Sequence, residues 1–168
     1  GPVLRLELLP GGSAAMAASN LFVGRDHRVQ FAQFGRVLLE EHTPTALGNS
    51  VAQVTVDVRG DRVARDVLAQ VQRLVESLEW SGFANVDLMQ DASGNYRVLE
   101  VNPRVGRSGY AVTASGYNVA AMYVREFLEQ APPPRLHLGE REHLFTVVPL
   151  ALLRVFARDS WPLVRGLW

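Results

Sequence analysis

The sequence predicts an α+β fold, a mostly antiparallel sheet with helices packed on one face. Strand-like runs are joined by short turns rich in Gly, Asp and Asn, which is typical of hairpins. Two segments, 61–80 and 119–128, have the composition and spacing of helices. The chain has 168 residues, 48% of them hydrophobic, and a chain of that size can bury about 70% of its unfolded surface as one domain.

Strands and turns account for the first third of the chain. Val3–Leu9 is a largely apolar run that stops at a Pro-Gly-Gly turn. The runs 21–23 and 29–34 flank Gly24-Arg25-Asp26-His27, which predicts a hairpin. The run 51–58 alternates well enough to be a further strand.

The clearest helix runs from Asp61 to about Trp80. Asp61 is a good N-cap residue, and the apolar residues that follow recur with the helical period on one face. Ser81-Gly82 predicts where this helix ends. The second helix, 119–128, precedes three prolines at 132–134.

The proline run suggests a division of the chain. We expect residues 3–131 to form one subdomain and 132–168 to form a helical segment packed on it. Gly1-Pro2 is typical of a remnant of tag removal. The N-terminus lacks the layout of a signal peptide. The longest apolar run, 144–153, is far shorter than the roughly 20 residues of a membrane helix, so we expect a cytoplasmic protein with no membrane partner.

The charge balance excludes a further class of partner. The chain has 17 basic and 17 acidic residues, and every basic residue is an arginine. Nucleic-acid binding needs a clustered basic excess, so we expect no nucleic-acid partner. Without cysteine there is no thiol nucleophile, and the scattered histidines form no recognisable catalytic triad.

The chemistry lies in a predicted hairpin formed by 84–90 and 96–102. Pairing Asp91 with Tyr96 across a four-residue loop sets its register. The facing pairs that result share one side of the sheet: Met89 with Val98, Asp87 with Glu100, and Asn85 with Asn102. The other side is apolar and can pack under a helix through Val86, Leu88, Leu99 and Val101.

This register predicts a cluster of two carboxylates and two amides. Directly opposed side chains lie about 5 Å apart, where like charges repel each other. A cation between Asp87 and Glu100, or a proton on one of them, would relieve that repulsion. Hard oxygen ligands of this kind suit Mg²⁺ or Mn²⁺. The alternative is a solvated face with another register, because a one-residue slip would separate the carboxylates.

Arg104 follows this hairpin directly. It precedes Gly106-Arg107-Ser108-Gly109, and its planar guanidinium could bind a phosphate beside the metal. The alternative is an ordinary surface arginine on a glycine-bearing loop. Its adjacency to the carboxylate cluster favours the functional interpretation.

Residues 82–110, with their Glu-x-Asn-Pro-Arg pattern, resemble the second half of an ATP-grasp fold. The resemblance implies that Glu100 and Asn102 bind Mg²⁺, with Mn²⁺ as an alternative, and that this ion bridges the phosphates of ATP. Asp87 stands where the first metal ligand is expected. Arg104 would contact the phosphates or an acyl-phosphate.

The resemblance also points to nucleotide contacts. The run 6–11 is similar to the strand that reads the adenine edge, with Glu7 at its acidic position and Leu8 and Leu9 beside it. Arg36 is a candidate contact to phosphate or substrate. Further along, 115–118 is similar to the turn before the helix that follows the metal strand.

The function that this resemblance implies is ATP-dependent carboxylate–amine ligation. ATP phosphorylates a small carboxylic acid, and an amine then displaces the phosphate. The segment 144–153 with Asp159 resembles carboxylate–amine ligases of the bacterial D-aspartate ligase kind. Together these likenesses cover most of the chain, and they define it as the C-terminal subdomain of the fold.

The chain has no lysine, so the phosphate-binding lysines of an ATP-grasp enzyme are not in it. ATP-grasp enzymes hold ATP between two subdomains, and lysines of the first subdomain grip the phosphates. We therefore expect a partner, an N-terminal ATP-grasp half in the same protein or on another chain, and a homodimer is compatible with the sequence. The alternative is a degenerate, non-catalytic module that binds nucleotide weakly or contacts another protein.

Overall fold

The computed structural model describes residues 3, 8–44, 49–132 and 135–167. The strands within these ranges are β1 (Met16–Val23), β2 (Val29–Glu40), β3 (Ser50–Thr55), β4 (Gly82–Gln90), β5 (Tyr96–Asn102), β6 (His137–Leu138) and β7 (Leu144–Thr146). The α-helices are α1 (Arg62–Ser77), α2 (Gly109–Ala114), α3 (Val119–Tyr123), α4 (Leu150–Phe156) and α5 (Trp161–Arg165). A π-helical turn, Val124–Leu128, continues α3, and Ser13–Ala15 and Arg158–Ser160 are short 3₁₀ turns.

The described strands form one sheet in the order β5-β4-β1-β2-β3-β7, with β6 beside β2. Every pair is antiparallel except β2 with β6, which is parallel. The predicted fold class, α+β with a mostly antiparallel sheet, is confirmed. The predicted hairpin around residues 24–27 joins β1 to β2, although both strands are longer than the apolar runs indicated.

The helices cover opposite faces of the sheet, so the prediction that they pack on one face is wrong. Leu21 and Phe22 are neighbours in β1 and therefore point to opposite faces. Leu21 belongs to the core beneath α1, whereas Phe22 packs against Tyr123 of α3, with ring centroids 5.5 Å apart. Since consecutive residues of β1 are apolar, each face needs its own cover.

Helix α1 begins as predicted. The side chain of Asp61 accepts a hydrogen bond from the backbone N–H of Ala64 at 3.0 Å. The helix ends at Ser77, before the predicted Trp80. Glu79 adopts a left-handed φ of 51°, which turns the chain toward β4. Gly82, with a φ of 109°, opens β4 instead of ending the helix.

Residues beyond the proline run join the sheet as well as cover it. Strand β6 pairs with β2, and β7 pairs with β3. Leu153 of α4 and Val164 of α5 are fully buried against the far end of the sheet. Among the described helices, none is both long enough and apolar enough to cross a bilayer.

Candidate functional site

The carboxylate pair lies where the sequence predicts it. Asp87 in β4 is paired with Glu100 in β5, and Asn85 is paired with Asn102. Because paired residues of antiparallel strands share a face, all four side chains project to the side of the sheet that α1 leaves free.

Nearer the turn, the hairpin differs from the prediction. Tyr96 pairs with Gln90 and not with Asp91. Leu99 is the extra residue of a β-bulge, and it restores the register before the carboxylate pair is reached. Leu99 is consequently 47% exposed rather than packed under a helix, and it lines a cleft together with Val98.

This cleft has a volume of about 820 Å³. One part of its lining is apolar and comes from the chain before β1, the start of β1 and the bulge: Leu9, Met16, Val98 and Leu99. The opposite part is polar and comes from the start of β3 and the chain after β5: Asn49, Ser50, Gln53, Arg107 and Ser108. Between these two parts, the floor of the cleft has small side chains. Asp87 is paired with Ala18 on β1, and Ala18 is paired with Gly35 on β2.

Asp87 and Glu100 line the cleft, and Asn102 is hydrogen-bonded to both of them. The Asn102 Nδ2 donates to Asp87 Oδ2 at 3.3 Å and to Glu100 Oε1 at 2.8 Å. Burial, together with the neighbouring Glu100 carboxyl, raises the pKa of Asp87 to about 6. The positive charge of Arg104 acts on that pKa in the opposite direction.

The donor set fits a hard divalent cation. A cation between the carboxylates would offset the repulsion that raises the pKa of Asp87. Turning the Asn102 amide over would present Oδ1 in place of Nδ2, and the two orientations have the same shape. Within the described ranges, no three His, Cys, Asp or Glu side chains are grouped to hold a metal. A third protein ligand here would therefore be the amide oxygen, with water completing the shell.

Two arginines stand at the cleft. Arg104 is exposed, and its Nη1 donates to the Val105 carbonyl at 3.3 Å. Arg107 forms an ion pair with Glu41, with Nη1 and Oε2 3.0 Å apart, which lowers the pKa of Glu41. Arg104 lines the cleft, and its exposed side chain can meet an anion beside the carboxylates.

Buried polar side chains hold α2 over this face of the sheet. The Asn20 Nδ2 donates to Ser108 Oγ at 3.3 Å, and the Gln33 Nε2 donates to Ser115 Oγ. The loop before α2 approaches so closely that a Cβ on Gly106 would lie 2.8 Å from the Asn85 Cγ. These residues were not predicted from the sequence. Their signal was polar side chains inside otherwise apolar strands.

Of the residues predicted to contact the nucleotide, some lie at the cleft and others do not. Glu7 lies outside the described residues. Leu8 is 94% exposed, whereas Leu9 lines the apolar part of the cleft. Arg36 is not brought to the cleft. It occupies the opposite face of β2 and forms an ion pair of 2.6 Å with Asp61, the N-cap of α1.

Solved structures identify the fold. N5-carboxyaminoimidazole synthetase from Staphylococcus aureus, complexed with ADP, superposes with a TM-score of 0.55 at 16% identity, over 77% of this chain and 33% of that one. The biotin carboxylase domain of the 2-oxoglutarate carboxylase from Hydrogenobacter thermophilus gives 0.58 at 9% identity, over 72% and 26% of the two chains. At these identities the likeness concerns the fold, an α+β ATP-grasp domain.

The family is shown by sequence. The model of the carbamoyl-phosphate synthase L chain ATP-binding domain matches residues 41–144, more than half of the chain. The chain belongs to this family of ATP-grasp domains. It is 30% identical to the D-aspartate ligase of Enterococcus faecium over 159 residues, which are 92% of this chain.

The chain spans only part of its curated relatives. It covers 36% of that D-aspartate ligase. It also matches 8% of the arginine-specific large chain of carbamoyl phosphate synthase from Lactiplantibacillus plantarum, at 36% identity over 86 residues. The comparisons thus describe an ATP-binding domain, and they leave the reaction of the whole protein to be argued from the site.

Proposed function

We propose that this chain is the metal- and phosphate-binding half of an ATP-dependent carboxylate–amine ligase. The observation that carries the proposal is that Asp87, Glu100 and Arg104 line one cleft and that Asn102 is hydrogen-bonded to both carboxylates. The match to ATP-grasp domains and the similarity to a D-aspartate ligase support the same reaction class.

Each residue has a distinct part in this proposal. Asp87, Glu100 and Asn102 would hold Mg²⁺, with Mn²⁺ as an alternative, and the ion supplies positive charge to the ATP phosphates. Arg104 binds the phosphoryl group as it passes to the carboxylate of the acid. Such fixed charges stabilise a transition state because they need no reorganisation when the negative charge moves.

The reaction proceeds through an acyl phosphate. A carboxylate oxygen of the acid forms a bond to the γ-phosphorus of ATP, and ADP leaves with the electron pair of the broken P–O bond. The amine nitrogen then bonds to the acyl carbon, phosphate leaves, and a proton passes to solvent. The product is an amide.

The cleft offers room for the nucleotide base at its apolar part, which Leu9 and Leu99 line. Lysines that grip the phosphates in ATP-grasp enzymes would come from an N-terminal half, since this chain has none. We place the protein in the cytoplasm, where ATP is available.

The test is Glu100→Ala in the full-length protein, with ADP release measured in the presence of Mg-ATP, a panel of small carboxylic acids and a panel of amines. Removing a ligand from the pair should reduce ADP release by at least a hundredfold. Glu100→Gln, which keeps the shape and removes the charge, should behave similarly.

Glu129→Ala is the matched control, because Glu129 is exposed and does not line the cleft. It should release ADP at the wild-type rate. Unchanged ADP release in Glu100→Ala would overturn the metal assignment. A wild-type protein that releases no ADP with any acid would instead favour the non-catalytic module.

A further inference from the structure

The ion pair between Glu41 and Arg107 has no part in the mechanism described above. Glu41 directly follows β2, and Arg107 lies in the chain after β5, 66 positions away in the sequence. Arg107 lines the polar part of the cleft, and Glu41 does not line it. Within the described residues, the guanidinium of Arg107 has no other hydrogen bond. Glu41 is thus a group outside the cleft that holds a charged side chain of its wall.

The carboxylate of Glu41 is held at both oxygens. Its Oε1 accepts a hydrogen bond from Thr43 Oγ1 at 3.0 Å, and its Oε2 accepts one from Arg107. The backbone N–H of Glu41 donates to the Asn49 carbonyl at 2.8 Å. The hydrogen bond from Arg107, followed by that from Thr43, lowers the pKa of Glu41. The carboxylate therefore stays ionised at neutral pH, and it presents Oε2 to Arg107 in a defined orientation.

The backbone of Arg107 is fixed by its two neighbours. Gly106 lies so close to the sheet that a Cβ there would be 2.8 Å from the Asn85 Cγ. Ser108 accepts a hydrogen bond from the Asn20 Nδ2 at 3.3 Å. The side chain of Arg107, however, is 50% exposed, and a long side chain without a partner would lose rotamer freedom when it bound a ligand. An orienting partner such as a carboxylate makes that loss before the ligand arrives.

We propose that Glu41 is a positioning residue, which holds Arg107 ready to bind a negatively charged group of the reactants at the polar part of the cleft. A guanidinium has five N–H donors and no acceptor, so the bond to Glu41 leaves donors for a second anion. Its planar fork matches a carboxylate or a phosphate. This inference rests on the proposed ligase function, and it assigns a residue outside the cleft to the binding of a reactant.

The experiment uses the full-length protein and two probes that distinguish the sources of the anion. Inorganic phosphate is titrated calorimetrically in the presence of Mg-ADP, and KM is measured for the acid and the amine that support ADP release. Arg107→Gln should weaken phosphate binding or raise the KM of one reactant roughly tenfold or more. Glu41→Gln, which keeps the shape and removes the charge, should change the same constant in the same direction, roughly threefold or more, with kcat nearly unchanged. A change in phosphate affinity alone identifies a phosphoryl group, and a change in KM identifies a carboxylate of that reactant.

A double variant and a matched control separate positioning from structural support. Because Glu41 acts through Arg107, adding Glu41→Gln to Arg107→Gln should have no further effect on binding. Glu140→Gln is the control, since it breaks an ion pair with Arg59 and neither residue lines the cleft. It should leave phosphate affinity and both KM values at the wild-type level. Both single glutamate variants should melt close to the wild type, because exposed ion pairs contribute little to stability.

Three results would overturn the inference. Wild-type constants in Arg107→Gln would show that no anion binds there. Wild-type constants in Glu41→Gln, with or without a lower melting temperature, would leave the pair a structural contact. Tighter binding in Glu41→Gln would show that the carboxylate competes with the ligand for Arg107. If Mg-ADP binds and depends on Glu100 while any of these holds, only the role of Glu41 fails. If Mg-ADP does not bind, the proposed function itself fails.

Discussion

The folded structure places Asp87 where the ionised form of its carboxyl is less stable than in water. Its pKa is raised from 3.8 to about 6, first by burial and then by Glu100. An acid with a raised folded-state pKa binds more protons in the folded state than in the unfolded state. Its contribution to the free energy of unfolding is therefore unfavourable above about pH 6 and disappears below the unfolded pKa of 3.8.

Asp87→Asn should stabilise the protein without metal. In EDTA at pH 7.5, removal of the unfavourable charge should raise the melting temperature by several degrees, corresponding to a gain on the order of 1–2 kcal/mol. At pH 4 the difference should nearly vanish, since the wild-type carboxyl is then mostly protonated. Added Mg²⁺ should stabilise the wild type and not the variant. Differential scanning calorimetry at both pH values measures these effects.

Asp91→Asn provides the matched control with the opposite sign. The backbone N–H of Asn95, followed by that of Ser93 and by Arg97, holds the pKa of Asp91 below its usual value. Its charge is favourable at pH 7.5, so its removal should lower the melting temperature. If both variants lowered it, the carboxylate cluster would be a stabilising network and not a site waiting for a cation.

The β4–β5 hairpin shows how far local patterns can predict a site. Alternation of side chains and an assumed four-residue loop placed Asp87 opposite Glu100, as the structure has them. Two departures were invisible in the sequence, a loop longer by one residue and the bulge at Leu99, and they cancel before the pair is reached. Such compensation depends on hydrogen bonding between the strands, which side-chain periodicity does not report.

Deletion of Leu99 tests what the bulge does. The ladder would become regular, Glu100 would stay opposite Asp87, and one apolar side chain would leave the cleft. We expect Mg²⁺ to stabilise this variant as it does the wild type, and the Kd for Mg-ADP to rise several-fold, both measured by calorimetric titration.

Deletion of Val101 is the contrasting change. It would place Asn102 opposite Val86, whose side chain is buried on the face beneath α1. Stabilisation by Mg²⁺ should then be lost. If the two deletions behaved alike, the register of β5 would not be what positions the ligands.

At the scale of the whole molecule, some residues could not be placed because the sequence does not reveal the order of the strands in the sheet. Nothing in the local sequence says that Arg36 and Asp87 point to opposite faces, because that depends on which strands become neighbours. Gln53 was missed for a related reason. A glutamine in a strand is unusual only if it is buried without a hydrogen-bond partner, and its neighbours must be known to show this. Among the described residues, none forms a hydrogen bond with the Gln53 amide.

The sheet also predicts that residues after the proline run unfold with the rest. Leu153 is fully buried at the far end of the sheet, whereas its neighbour Leu152 is 40% exposed. Leu153→Ala should lower the free energy of unfolding by about 2–5 kcal/mol, and Leu152→Ala should lower it much less. Urea unfolding followed by circular dichroism measures both values.

A single shifted transition in Leu153→Ala is the expected form of that result. Two separate transitions would show that the segment after the prolines is an independent unit. Equal losses in both variants would contradict the burial that distinguishes these two leucines.

The assignment of the two faces of one sheet to different tasks has an evolutionary consequence. The face beneath α1 is largely apolar, while the other face has an aromatic core around Phe22 at one end and, in the cleft, an unfavourable charge at Asp87 and, among the described residues, an unpartnered amide at Gln53. Substitutions that remove the charge of Asp87 would therefore make the protein more robust. A descendant that lost the carboxylate pair would thus drift easily toward a more stable scaffold.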